Sequence, residues 1–96
     1  MNKYLEQLKN LSLTIFENEP VKIILFGSRA RGDENPTSDV DIGIIPRGNS
    51  CVKATTLLKE KIEESTIPFK VDVVNLKEAS QDFYNEALKD AVVWKE

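Results

Sequence analysis

The run Val21-Lys22-Ile23-Ile24-Leu25-Phe26, stopping at Gly27, most narrows what this chain can become. Its β-branched, apolar character reads as a buried strand, and such a strand has to be covered by other elements. The flanking sequence supplies them. Leu5, Leu8, Leu11 and Ile15 recur at helical spacing, with Tyr4 and Phe16 widening the stripe, so the spacing predicts a helix over 3–17 that Pro20 stops. After Gly27 a short helix is expected to open, followed by a polar loop at 33–37. A second strand is expected over 39–45, closed by Pro46 and Gly48. Ser50 stands where it would cap a helix carrying Ala54, Leu57, Leu58 and Ile62 to about residue 65, and Pro68 precedes a third strand over 69–75. Ser80 would cap a last helix bearing Phe83, Ala87 and Leu88, and Ala91 to Trp94 would form a short terminal strand. Alternation of this kind predicts an α/β layer structure, a sheet packed on helices.

Size and charge restrict the function. The 96 residues are expected to form one domain, 1–96, burying roughly 60 to 65% of the unfolded surface, with no room for a second, substrate-holding domain. The single Cys51 excludes an internal disulfide, and without any His the usual zinc spacings and Ser-His or Cys-His nucleophile pairs are out of reach. Acid–base work falls to Asp, Glu, Lys or Tyr. Thirteen Lys and Arg against 16 Asp and Glu give a net charge of -3, which argues against direct nucleic-acid binding, since phosphate tracking calls for a basic face. The longest apolar runs, Ile23 to Phe26 and Ala91 to Trp94, are too short to cross a bilayer, and the N-terminal stretch with Lys3, Glu6 and Lys9 lacks a signal-peptide core. A reducing, cytoplasmic setting is expected.

Gly27-Ser28-Arg29-Ala30-Arg31-Gly32 directly follows the first strand. Unpaired N–H groups at a helix start point where an anion would sit; Gly27 lets the backbone approach a phosphate and the Ser28 hydroxyl adds a donor. The segment lacks both the Gly-Lys-Ser/Thr ending of a P-loop and the Gly-x-Gly-x-x-Gly fingerprint, and a Gly turn into a capped helix would account for it without a ligand. Asp39 and Asp41 are the second feature. Strand alternation puts both on one face, with Val40, Ile42 and Ile44 on the other. Two carboxylates side by side ask for a cation, and an all-oxygen donor set suits magnesium, unless both simply face water. Asp72, inside Phe69-Lys70-Val71-Asp72-Val73-Val74, joins them on the same face if the second and third strands are neighbours. Three convergent carboxylates beside an anion-binding turn describe a two-metal phosphoryl or nucleotidyl transfer site.

Gly27-Ser28-x-Ala30-Arg31-Gly32, then Ser38-Asp39-x-Asp41-Ile42-x-Ile44, then an isolated strand Asp72, resembles the minimal nucleotidyltransferases of the polymerase-beta-like superfamily. The resemblance runs from about residue 3 to the end, and no motif position is missing. It implies a small mixed β-sheet flanked by helices, with Gly27 and Ser28 holding a nucleoside triphosphate, ATP by default. It also implies that Asp39 and Asp41 ligate two Mg2+ ions, and that Asp72 completes the second metal site and helps to deprotonate an acceptor hydroxyl. Arg31 is expected to brace the Asp39 loop through an ion pair; Arg29, at a variable position, is assigned no role.

The motifs build only the nucleotide half of a site. Acceptor, base and oligomeric state, homo-oligomers included, stay open. Among chains of this size the resemblance points to two-component systems in which the minimal nucleotidyltransferase is the antitoxin of a small helical HEPN-domain toxin. In some of these it transfers AMP to a tyrosine of the toxin. The expected function is therefore that of a magnesium-dependent nucleotidyltransferase acting on such a partner. The alternatives are a non-catalytic antitoxin that neutralises by binding, and the catalytic subunit of a two-component small-molecule nucleotidyltransferase. Lys22, Lys70 and Lys95 read as solvated charges; Tyr84 and Trp94 read as core aromatics, or as contacts at a protein interface.

Overall fold

The computed structural model describes residues 3–27, 30, 39–48 and 51–96. In chain order the elements are α1 (Lys3–Ile15), β1 (Val21–Phe26), β2 (Val40–Pro46), α2 (Val52–Glu64), β3 (Val71–Asn75), α3 (Gln81–Leu88) and β4 (Val92–Lys95). The four strands form one mixed sheet in the order β3-β2-β1-β4. β1 pairs antiparallel with β2 and β4, while β2 pairs parallel with β3 through the α2 crossover. The short helix expected after Gly27, the loop at 33–37 and Ser50 lie outside the described residues. No described helix is long and apolar enough to cross a membrane.

Hydrophobic alternation divides the core between the two faces of the sheet. Ile23, Leu25, Val40, Ile42 and Ile44 point to one face and pack with Leu5, Leu8 and Phe16 and with Leu58 of α2. Ile24 and Phe26 point to the other, where they meet Leu76 and Ala87 of α3. The helical period places Leu5 and Leu8 inside, and the buried Ser12 is satisfied by donating its hydroxyl to the Leu8 carbonyl at 2.8 Å. At α3 the Ser80 hydroxyl accepts from the Phe83 N–H at 3.2 Å, the cap that the sequence pattern predicts. At α2 the N-cap position belongs to Cys51, which makes no side-chain cap bond.

Three local readings need correction. Pro46 does not close β2 from outside but occupies its last position, opposite Val21, a strand end where proline is tolerated. β3 begins at Val71 rather than 69, and the Phe69 ring packs edge-on to Tyr4 of α1, with centroids 6.0 Å apart. Lys95 is not a free surface charge. Its Nζ donates to the carbonyls of Glu19 and Val21 at 3.1 and 3.2 Å, fastening the end of β4 to the turn between α1 and β1. Trp94 is buried in the core, as expected of a core aromatic.

Leu57 and Leu58 are adjacent in sequence and sit on different surfaces of α2: Leu58 is fully buried, Leu57 is 41% exposed. Leu58→Ala is expected to cost about 2 to 5 kcal/mol, because the site lies between α2 and the sheet and leaves a cavity. Leu57→Ala should cost less than about 1 kcal/mol. Urea titrations of the two variants check this, and equal losses would contradict the packing.

Candidate functional site

The parallel pairing of β2 with β3 brings two of the three carboxylates together. Asp41 stands directly opposite Asp72 in the register, and the Val40 N–H donates to the Lys70 carbonyl at 2.9 Å, extending the pairing by one residue. Paired residues in a parallel ladder present side chains to the same face, so both acids lie on the α3 side of the sheet. On the opposite flank Asp41 faces Phe26 of β1. One level of the sheet therefore reads Phe26, Asp41, Asp72 from β1 to β3. Asp39, exposed, precedes β2 by one residue.

Gly27 closes this row. Its φ of +79° is a left-handed conformation that side chains disfavour, and a Cβ built on it would come within 2.5 Å of Asp41 Oδ2. The glycine thus provides both the turn out of β1 and the space that the Asp41 carboxylate fills. Gly43, two residues along from Asp41, is covered by the side chains of Leu76 and Ile24. Burial pushes the Asp41 carboxyl above its ordinary value of 3.8, the charges of Asp72 and Asp39 push it further, and Lys70 partly opposes them. Lys70 is exposed, yet its charge reaches the acid row, a role that its sequence position did not signal. At strand spacing, two such charges repel by about 1 to 3 kcal/mol between water-like and protein-like screening.

Among the described residues no three Asp, Glu, Cys or His side chains are gathered tightly enough to hold a metal ion unaided. The donor set nevertheless fits magnesium, which takes one or two carboxylates and fills its remaining positions with water and phosphate oxygens. Ser28, Arg29 and Arg31 lie outside the described residues. Two openings lie near the row. A cleft of about 240 Å³ lies on the α2 side of edge strand β3, lined by Lys59, Ile62 and Glu63 of α2 and by Val71, Asp72 and Val73. On the other side a cavity of about 190 Å³ touches Gly27 and Phe26. A larger cavity of about 490 Å³, between α2 and the far part of β3, touches none of the three carboxylates. Tyr84 is half-buried and packs on the α3 side of the core.

The family described as "Polymerase beta, Nucleotidyltransferase" matches residues 6–96. A curated Haemophilus influenzae protein described as "Probable protein adenylyltransferase MntA" is 37% identical over 71 residues, covering 74% of this chain and 62% of that protein. The chain thus spans less than two thirds of that relative's length. A chain in a crystal structure of a toxin–antitoxin with AMP-PNP superposes with a TM-score of 0.68 at 22% identity, over 90% of this chain and 71% of that one. A chain in the complex of a tri-AMPylated Shewanella oneidensis HEPN toxin with an MNT antitoxin superposes with a TM-score of 0.63 at 20% identity, over 93% and 70%. At these identities the two superpositions speak to the fold.

Two outcomes follow from the geometry. The raised Asp41 carboxyl holds its proton more tightly in the folded than in the unfolded chain, so its contribution to stability is full below pH 3.8 and is lost as pH rises through the raised value. Asp41→Asn removes that loss. In EDTA it should melt above the parent at pH 7, with the difference closing as pH falls toward 3.8; a lower Tm at pH 7 would contradict the electrostatics. Gly27→Ala should cost about 1 to 2 kcal/mol from the left-handed backbone alone, and more as Asp41 is displaced. Denaturant titration reads the loss, and parity with the parent would show that the turn relaxes freely.

Proposed function

The chain belongs to the polymerase beta nucleotidyltransferase family, and on that premise we propose that it transfers AMP from ATP to a tyrosine hydroxyl of a helical HEPN-type toxin, serving as that toxin's antitoxin. The observation that carries this reading is the direct pairing of Asp41 with Asp72 beside the bare Cα of Gly27. Adjacent carboxylates next to a backbone without a side chain suit a triphosphate held through divalent cations. The adenylyl group and the protein acceptor are supported by relatives: the Haemophilus influenzae protein carries the name of a protein adenylyltransferase, and the Shewanella oneidensis toxin is AMPylated.

In this reading Gly27 and Ser28 hold the triphosphate, and Asp39, Asp41 and Asp72 would hold two Mg2+ ions. Bound magnesium supplies neutralisation of phosphate charge and alignment of the triphosphate. Asp72, on the edge strand, takes the proton of the incoming hydroxyl, which approaches the α3 side of the sheet from the β3 flank. The hydroxyl oxygen bonds to the α-phosphorus as the bond to the bridging oxygen of the β-phosphate breaks, and pyrophosphate leaves. Residues 39 and 41 orient the phosphate end; residue 72 prepares the acceptor. A net charge of -3 and a row of acids repel ATP, so cation and nucleotide are expected to bind together.

ATP labelled at the α-phosphate, incubated with the chain and its co-purified partner, tests the proposal. Label on the partner supports it. No label anywhere would favour neutralisation by binding, and label on a small metabolite would favour a small-molecule nucleotidyltransferase. Asp39→Asn and Asp41→Asn should abolish transfer while leaving the fold intact. Ser28→Ala should weaken nucleotide binding by about 1 to 2 kcal/mol and leave residual activity. Asp72→Asn should bind ATP with magnesium yet fail to transfer; near-normal transfer would return Asp72 to an ordinary strand residue. Calorimetry should find Mg2+ binding appreciably tighter with ATP present, and equal affinity with and without ATP would count against a shared metal–phosphate site.

A further inference from the structure

Phe26 and Phe83 form a wall beside the acid row that the transfer chemistry does not use. Phe26 stands opposite Asp41 across the β1–β2 pairing, and the Phe83 ring of α3 meets it edge-on, with centroids 6.0 Å apart and planes at 88°. Between them and the phosphate turn lies the cavity of about 190 Å³, lined by Phe26, Gly27, Phe83, Glu86 and Ala87. Helical spacing assigns Phe83 to the core, yet it remains 45% exposed at this cavity. An aromatic side chain left uncovered beside a cavity is a ready stacking surface.

We propose that this cavity receives the base of the bound nucleoside triphosphate, with Phe83 as its stacking platform. The inference rests on reading Gly27 and the carboxylates as a nucleotide site, and it adds where the uncharged end of the nucleotide goes. Two observations select that occupant. Phe26, Phe83 and Ala87 give the cavity an apolar wall, and the Glu86 carboxylate that also lines it is paired with Lys89 at 3.2 Å, so an uncharged ring suits it better than a triphosphate. Asp72 lies on the far side of Asp41 from Phe26, so the acceptor that it prepares approaches from the β3 flank. The ribose then bridges from the cavity to phosphates at Gly27. Stacking is tolerant of base identity because every base has a π face, so Phe83 supplies affinity more than choice among bases.

Calorimetry with MgCl2, titrating ATP and inorganic tripolyphosphate in turn into the parent, Phe83→Ala and Phe83→Trp, tests the proposal. Phe83→Ala should weaken ATP binding roughly 5- to 100-fold and leave tripolyphosphate binding unchanged, while Phe83→Trp restores ATP binding. Because Phe83 is partly exposed, the Ala variant should keep its fold, which a thermal melt verifies. Unchanged ATP affinity in Phe83→Ala, or equal losses for both ligands, would overturn the proposal. If the parent binds ATP no more tightly than tripolyphosphate, the base has no site and this inference alone fails. If the parent binds neither, the nucleotide reading itself fails and takes this inference with it.

Discussion

Hydrogen bonding on both sides of β2 sets the positions of nearly everything else. Antiparallel pairing to β1 and parallel pairing to β3 hold the strand at the centre of the sheet, with Val40, Ile42 and Ile44 fully buried against α1 and α2. The same alternation turns Asp41 to the opposite face, between Phe26 and Asp72. A slip of one residue would exchange the two sets, taking the aliphatic row out of its packing against α1 and α2 and burying a carboxylate among those helices. The hydrophobic stripe therefore enforces the position of the acids, although it never touches them.

That arrangement is electrostatically unfavourable by itself. Asp41 is partly withdrawn from water, beside Asp72 and Asp39, with Lys70 as a partial offset. An apolar or amide side chain at that position would satisfy the sheet better, which is the expected signature of a strand position kept for chemistry rather than for stability. The strain is tolerable because it is concentrated at one end of β2, while Gly43 lets Leu76 and Ile24 close the core immediately beyond.

The legible part of the candidate site was its glycine turn and its carboxylates. Gly27, Asp39 and Asp41 stand within 15 positions of one another, and an Asp inside an apolar strand such as β3 is an anomaly that the pattern exposes. The aromatic flank was not legible in the same way. Phe26 and Phe83 occupy positions that helical and strand periodicity assign to the core, and periodicity reports a face, not how completely that face is covered. Lys95 was missed for a related reason: its carbonyl partners, Glu19 and Val21, lie more than 70 positions away.

Local pattern alone determined the order of helices and strands, the cap at Ser80 and the alternation of β2 that turns Val40, Ile42 and Ile44 to one face and Asp41 to the other, because these depend on periods of 3.6 and 2 residues within a short stretch of chain. Tertiary structure decided which strands are neighbours. Only the β2–β3 pairing places Asp72 beside Asp41, because residues 31 positions apart meet through a helical crossover whose register no local period encodes. Packing likewise decided that Leu58 is buried and Leu57 is not, and that the ring of Phe83 stays partly in the open at the edge of the acid row. Burial is a property of what an element packs against, and that partner lies elsewhere in the chain.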